Sequence, residues 1–142
     1  MTREAFEQLV AEEFPTAVPE KFRNRIANVA FLVEDEPSVE VRETERLGPG
    51  ETLLGYYKGI PHTARGEGYG VGGVMPDTIT LYKLPIEDEA HELEHSNILQ
   101  NVGMSYEGCV RRVICETIWH EVAHHFGMDE HEVQEREKGR NA

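Results

Sequence analysis

Apolar residues recur every three or four positions at the start of the chain. Phe6, Leu9, Val10 and Phe14 share one side of a helix and predict an amphipathic first element. The stretch "VPEKFRNRIAN" predicts a second helix, with Pro19 suited to its first turn. At "NVAFLVED" the period shortens to two, and Val29, Phe31 and Val33 alternate as in a strand. "PSVEVRETERLG" predicts a short helix capped by Ser38 and stopped at Gly48. "ETLLGYYKGIP" and "DTITLYKLPI" predict two further strands, separated by the glycine-rich "HTARGEGYGVGGVMP". "IEDEAHELEHSNILQ" returns to helical spacing, with Ile86, Ala90 and Leu93 on its apolar face. The longest apolar helix runs from Tyr106 to Phe126. Val110, Val113, Ile114, Ile118, Val122 and Phe126 make its stripe, with Cys115 and Trp119 beside it. A helix apolar over so much of its circumference belongs at the centre, covered on several sides. Gly127 supplies the left-handed residue that ends it. No repeat or linker interrupts this order, and 142 residues suit a single domain spanning 1–142.

Charge narrows the partners. The 27 acids against 14 bases give a net charge of −13, which repels phosphate backbones and anionic membranes. The same charge also serves solubility. Neither nucleic acid nor a membrane is expected as a partner, and no run reaches the ~18 apolar residues of a membrane span. The acidic start "MTREAFEQLVAEEF" has no apolar core of signal-peptide length. Cys109 and Cys115 lie six apart on one predicted helix, about 9 Å of rise, too far to bridge. Two reduced thiols predict a cytoplasmic location.

The chemistry concentrates in "HEVAHHFGMDEH", residues 120 to 131. His120 and His124 are four apart, so both imidazoles reach one side of the helix. Glu121 stands on the adjacent flank, placed to address a water. The spacing suits a zinc hydrolase, with two histidine ligands, a third ligand from elsewhere and an open position. His125 points about 100° away from His124 and reads as a packing residue or a support for the ligands. Two other motif matches are set aside. Gly68, Gly70 and Gly73 spell G-x-G-x-x-G, but a strand follows where a dinucleotide site needs a helix. His91-Glu92-Leu93-Glu94-His95 is a second H-E-x-x-H, yet its histidines face outward among charges and no turn returns a third ligand.

The turn after Gly127 offers that ligand. Asp129 followed by Glu132 fits a helix start with Asp129 as N-cap, its carboxylate taken by backbone N–H groups. In the metzincin pattern H-E-x-x-H-x-x-G-x-x-H the third ligand falls ten positions after the first histidine, which here is Glu130. A carboxylate suits Zn²⁺ as well. Glu130 leads the candidates, His131 follows, and Asp129 or no ligand in this turn stands last.

With these residues in place, the chain resembles the compact bacterial zincin-like metallopeptidases, or minimal zincins, whose motif runs H-E-x-x-H-x-x-G-x-x-D. "NVAFLVEDEP", "ETLLGYYKGIP", "MPDTITLYKLPIE" and "HEVAHHFGM" are similar to that family's segments, in its order. The resemblance implies an α+β fold with a small mixed sheet packed on a central zinc-binding helix. Two features depart from the family: Glu130 in place of the usual Asp, and a longer segment, "HELEHSNILQNVGMSYEG", before the zinc helix.

The resulting expectation is a zinc metallopeptidase with one Zn²⁺ per chain on His120, His124 and Glu130. A metal-activated water attacks a peptide or unstructured protein, and Glu121 is the general base. "LLGYYKGIP" is the candidate edge to which substrate adds as a strand, with an interior position as the alternative. Tyr56, Tyr57, His62 and Tyr82 are all candidates for oxyanion stabilisation. Two rival functions stand beside this one. One is a non-catalytic zinc or protein-binding module. The other is a metal-dependent RNA endonuclease with an H-G-x-x-H-x-x-G-x-D-H motif, which Glu121 and the net charge oppose.

Overall fold

The computed structural model describes residues 1–23, 29–59 and 76–126. Their order is helix α1 (Arg3–Ala17), helix α2 (Glu20–Arg23), strand β1 (Val29–Glu34), helix α3 (Val39–Thr44), strand β2 (Gly55–Lys58), strand β3 (Asp77–Tyr82), helix α4 (Lys83–Leu99) and helix α5 (Tyr106–His125). The glycine triplet at 68–73, like Gly127, lies outside the described residues, while the strand expected after Pro76 is β3.

Helix α5 organises the rest. Ser105 starts it, its hydroxyl accepting the Gly108 N–H at 3.0 Å. Val110, Val113, Ile114, Ile118, Trp119 and Val122 are then all buried. The breadth of that stripe is explained by its neighbours: α5 packs against α1, α4, β2 and β3. Its apolar residues join Phe6, Leu9 and Val10 of α1, Ile79 and Leu81 of β3, and Ile86 and Ala90 of α4 in one core cluster. Arg111 ties α5 to α1 through Glu12 at 2.8 Å.

The sheet among the described residues has three strands in the order β1-β3-β2, with β1 parallel and β2 antiparallel to β3. The architecture is therefore α+β with a small mixed sheet on a central helix. The alternation read at Val29, Phe31 and Val33 holds, since these three pack against the core cluster while Leu32 and Glu34 are exposed. Among the described residues strand β2 lies at one end of the sheet, the first of the two positions considered for "LLGYYKGIP".

Two boundaries differ from the pattern reading. The strand expected through "DTITLYKLPI" stops at Tyr82, and Lys83 already belongs to α4. Pro85 falls in the first turn of α4, where its missing N–H breaks no helical bond, and Lys83 pairs with Glu87 one turn on at 2.7 Å. Helix α3 is capped by Ser38 as expected, its hydroxyl accepting the Val41 N–H at 3.2 Å, but it ends at Thr44, before Gly48. Arg46 itself takes the left-handed conformation, φ 55. The bonds Arg46 N–H to Glu43 C=O and Leu47 N–H to Arg42 C=O close the helix around it as a Schellman motif. The Arg42 guanidinium then donates to the Gly48 and Glu51 carbonyls, both at 2.9 Å, and holds the following loop.

No helix among the described residues is long and apolar enough to cross a membrane. The Cys109 and Cys115 thiols are free of disulfides.

Candidate active site

The last two turns of α5 carry His120, Glu121 and His124. The histidine rings stand one turn apart, their centroids separated by 6.1 Å and their planes nearly perpendicular at 87°. His120 Nδ1 lies 3.0 Å from the Glu116 carbonyl oxygen. A carbonyl only accepts, so Nδ1 holds the proton and the ring's lone pair is on Nε2. That is how a metal-ligating histidine is usually set, with one nitrogen donating to a carbonyl so that the ring is oriented and the other made more basic. The donor set and its tautomer fit zinc. No group of three metal-ligating side chains forms among the described residues. The expected third ligand, Glu130, and its alternatives His131 and Asp129 lie outside them.

Strand β2 runs alongside this turn, and a glycine lets it come close. A Cβ on Gly55 would stand 2.7 Å from Thr117 Cγ2 and 3.3 Å from the Thr80 carbonyl oxygen. Two residues further, the Tyr57 ring stacks on His125 at 4.1 Å and 14°. His125 thus serves to dock β2. The Tyr57 hydroxyl donates to Asp77 Oδ2 at 2.8 Å, joining β2 to β3 on the same face.

The ladder also fixes where the backbone of β2 points. Tyr82 N–H donates to the Leu54 carbonyl at 2.9 Å, and the register continues as Tyr56 opposite Thr80 and Lys58 opposite Thr78. These are the hydrogen-bonded pairs, so the N–H and C=O groups of Gly55 and Tyr57 point away from β3. The outward N–H of Tyr57 meets the Glu121 carboxylate. Burial pushes the Glu121 carboxyl above the usual carboxylate range, while the Tyr57 N–H and the imidazoles of His124 and His120 pull it back.

The four oxyanion candidates separate. Tyr57 is engaged with Asp77 and His125. Strand alternation turns Tyr56 and Tyr82 to the opposite sheet face. Tyr82 is buried there, 1% exposed, and desolvation followed by the charge of Glu34 pushes its hydroxyl up to about 12. His62 lies outside the described residues. The second H-E-x-x-H sits in α4 with His91 and His95 exposed, as its pattern indicates. The His91 ring lies on Tyr106 at 4.4 Å and 19°, bracing α4 against the start of α5.

Sequence reasoning did not assign the Glu116 carbonyl, Gly55 or the Tyr57 N–H to the site. A signal existed for one of them: a glycine inside a strand pattern marks a close approach of another element. The other two are backbone groups, whose direction depends on register and on tertiary packing.

A cleft of about 340 Å³ opens beside His120 and Glu121, between α4, α5 and the residues entering β2. The site thus combines two imidazoles on one helical turn, a half-buried carboxylate between them, an outward-facing strand and a cavity. No individual curated protein matches the chain significantly. A family model does: the zincin-like metallopeptidase model spans residues 26–140, covering the three described strands, α5 and the residues from 127 to 140, and the chain belongs to that family.

Proposed function

We propose that the protein is a zinc-dependent peptidase acting on peptides or unstructured protein in the cytoplasm, with His120, His124 and Glu130 as the ligands of one Zn²⁺ per chain. The observation that carries this reading is the contact between Glu121 and the outward N–H of Tyr57. It puts a candidate base and a template for strand addition within one hydrogen bond of each other.

Bound zinc supplies a Lewis acid that makes water nucleophilic near neutral pH and polarises a carbonyl. The chain's own residues do the rest. His120 is held by the Glu116 carbonyl, so its Nε2 stays aimed without reorganisation. An extended peptide pairs with the outward groups of Gly55 and Tyr57 as a further strand. Its carbonyl takes over the Tyr57 N–H and releases the Glu121 carboxylate, which accepts a proton from water and delivers it to the departing amine. A folded substrate could not present such a strand, hence the expected preference for unstructured chain.

The test is digestion of β-casein by the zinc-loaded full chain and by Glu121→Gln at equal zinc content. Loss of a general base lowers the rate by ~10²–10⁴-fold. Equal cleavage by both proteins would remove Glu121 from the chemistry, and no cleavage by the zinc-loaded wild type would remove the peptidase reading.

A further inference from the structure

The cleft beside the site has a divided lining. Leu53 and Leu54 before β2, Leu93 on α4 and Val113 on α5 make apolar walls. Thr117 adds no donor, because its hydroxyl is bonded to the Val113 carbonyl at 2.7 Å. Glu89 on α4 and Arg112 and Glu116 on α5 supply the polar part. Arg112 Nε lies 3.1 Å from Glu116 Oε1, with the two side chains 48% and 39% exposed, so the pair is weak and easily rearranged. Counting Glu121, three carboxylates line the cleft against one guanidinium.

Each class of peptide side chain meets this lining differently. An acidic one faces like charges. A wholly apolar one fills the walls but strips water from Glu89 and Glu116 without replacing it. A long aliphatic stem ending in a cation satisfies both parts. The volume is at the small end of ligand pockets, roughly 300–1,000 Å³, which favours one side chain over a larger ligand. Register then locates that side chain. The outward groups of β2 lie at Tyr57, beside Glu121, and at Gly55, beside the cleft. A peptide paired along this edge therefore enters the cleft with a residue close to the bond beside Glu121.

We propose that the cleft between Leu93 and Val113 receives a lysine or arginine side chain lying within two residues of the scissile bond, with Glu89 and Glu116 taking its charge. This rests on the peptidase reading, and the test separates the two. Zinc-loaded Glu121→Gln protein is titrated with capped Ala-Ala-X-Ala-Ala peptides, X being Lys, norleucine or Glu, and followed by amide NMR shifts. The lysine peptide should shift the amides of Leu53, Leu93 and Val113 and bind roughly threefold to tenfold tighter than norleucine, the range of two partly exposed ion pairs. That preference should shrink in 1 M salt and vanish in Glu89→Gln/Glu116→Gln. Equal binding of lysine and norleucine, or no lysine-dependent shift at those amides, overturns the proposal. A lysine preference in a protein that leaves β-casein intact would keep the cleft assignment and defeat the peptidase reading.

Discussion

Gly55→Ala tests whether β2 is placed by its contact with α5. Two effects oppose each other. Glycine-to-alanine at a backbone conformation that alanine accepts stabilises by about 0.4–1 kcal/mol, because the unfolded chain loses freedom. Gly55 has no positive φ, so that gain is available. Against it, the new methyl would stand 2.7 Å from Thr117 Cγ2 and 3.3 Å from the Thr80 carbonyl. Thr117 cannot swing aside freely, since it is β-branched in a helix and its hydroxyl is bonded to Val113. Overpacking a tight site costs about 1–3 kcal/mol, which exceeds the gain and leaves a net loss of about 1–2 kcal/mol. Thr117→Ser removes the clashing methyl and keeps the hydroxyl. On its own it should cost about 0.5–1.5 kcal/mol, as for one buried methyl. The double variant should then be more stable than the sum of the singles by at least ~1 kcal/mol. Urea unfolding followed by the single tryptophan, Trp119, which is 1% exposed, measures all four proteins. Additivity within ~0.5 kcal/mol, or a stabilised Gly55→Ala, would refute the close approach of β2 to α5.

Other consequences follow from single contacts. Tyr57→Phe keeps the ring on His125 but removes the donor to the buried Asp77, and should cost about 1–3 kcal/mol in urea unfolding; a loss under ~0.5 kcal/mol would contradict that bond. The Arg111 guanidinium holds Glu12 below its ordinary value of 4.5, so this link is present above that value and is lost as pH falls through the lowered one. Arg111→Ala should accordingly lower stability slightly at pH 7, and its difference from wild type should close once pH has fallen through the lowered Glu12 value; a difference that persists there would exclude the ion pair as its source.

The helices and the central position of α5 were legible because apolar spacing reports burial directly, as the stripe Val110 to Val122 illustrates. The limits of β3 and α3 were not. "KLPI" carries the apolar look of a strand, yet its residues start a helix whose first turn tolerates Pro85. Gly48 was the residue composition offered as a stop, whereas Arg46 adopted the left-handed conformation because Arg42 and Glu43 carbonyls were there to bind the returning N–H groups. At the site, helical spacing alone brings His120 and His124 together and separates them from His91 and His95. It could not show that Glu121 meets Tyr57, since that depends on which backbone groups of β2 face outward. Residue-level pattern finds side chains on one helix; contacts between a helix and a strand edge need the register.

The most direct measurement is zinc-edge anomalous diffraction from a crystal of the full chain grown with Zn²⁺. One strong peak is expected per chain, bonded to His120 Nε2 and His124 at ~2.0–2.1 Å and to a Glu130 oxygen at ~2.0–2.2 Å. A His131 nitrogen in place of that oxygen would contradict the ligand set. Zinc held by His91 and His95, with none between His120 and His124, would contradict the account itself.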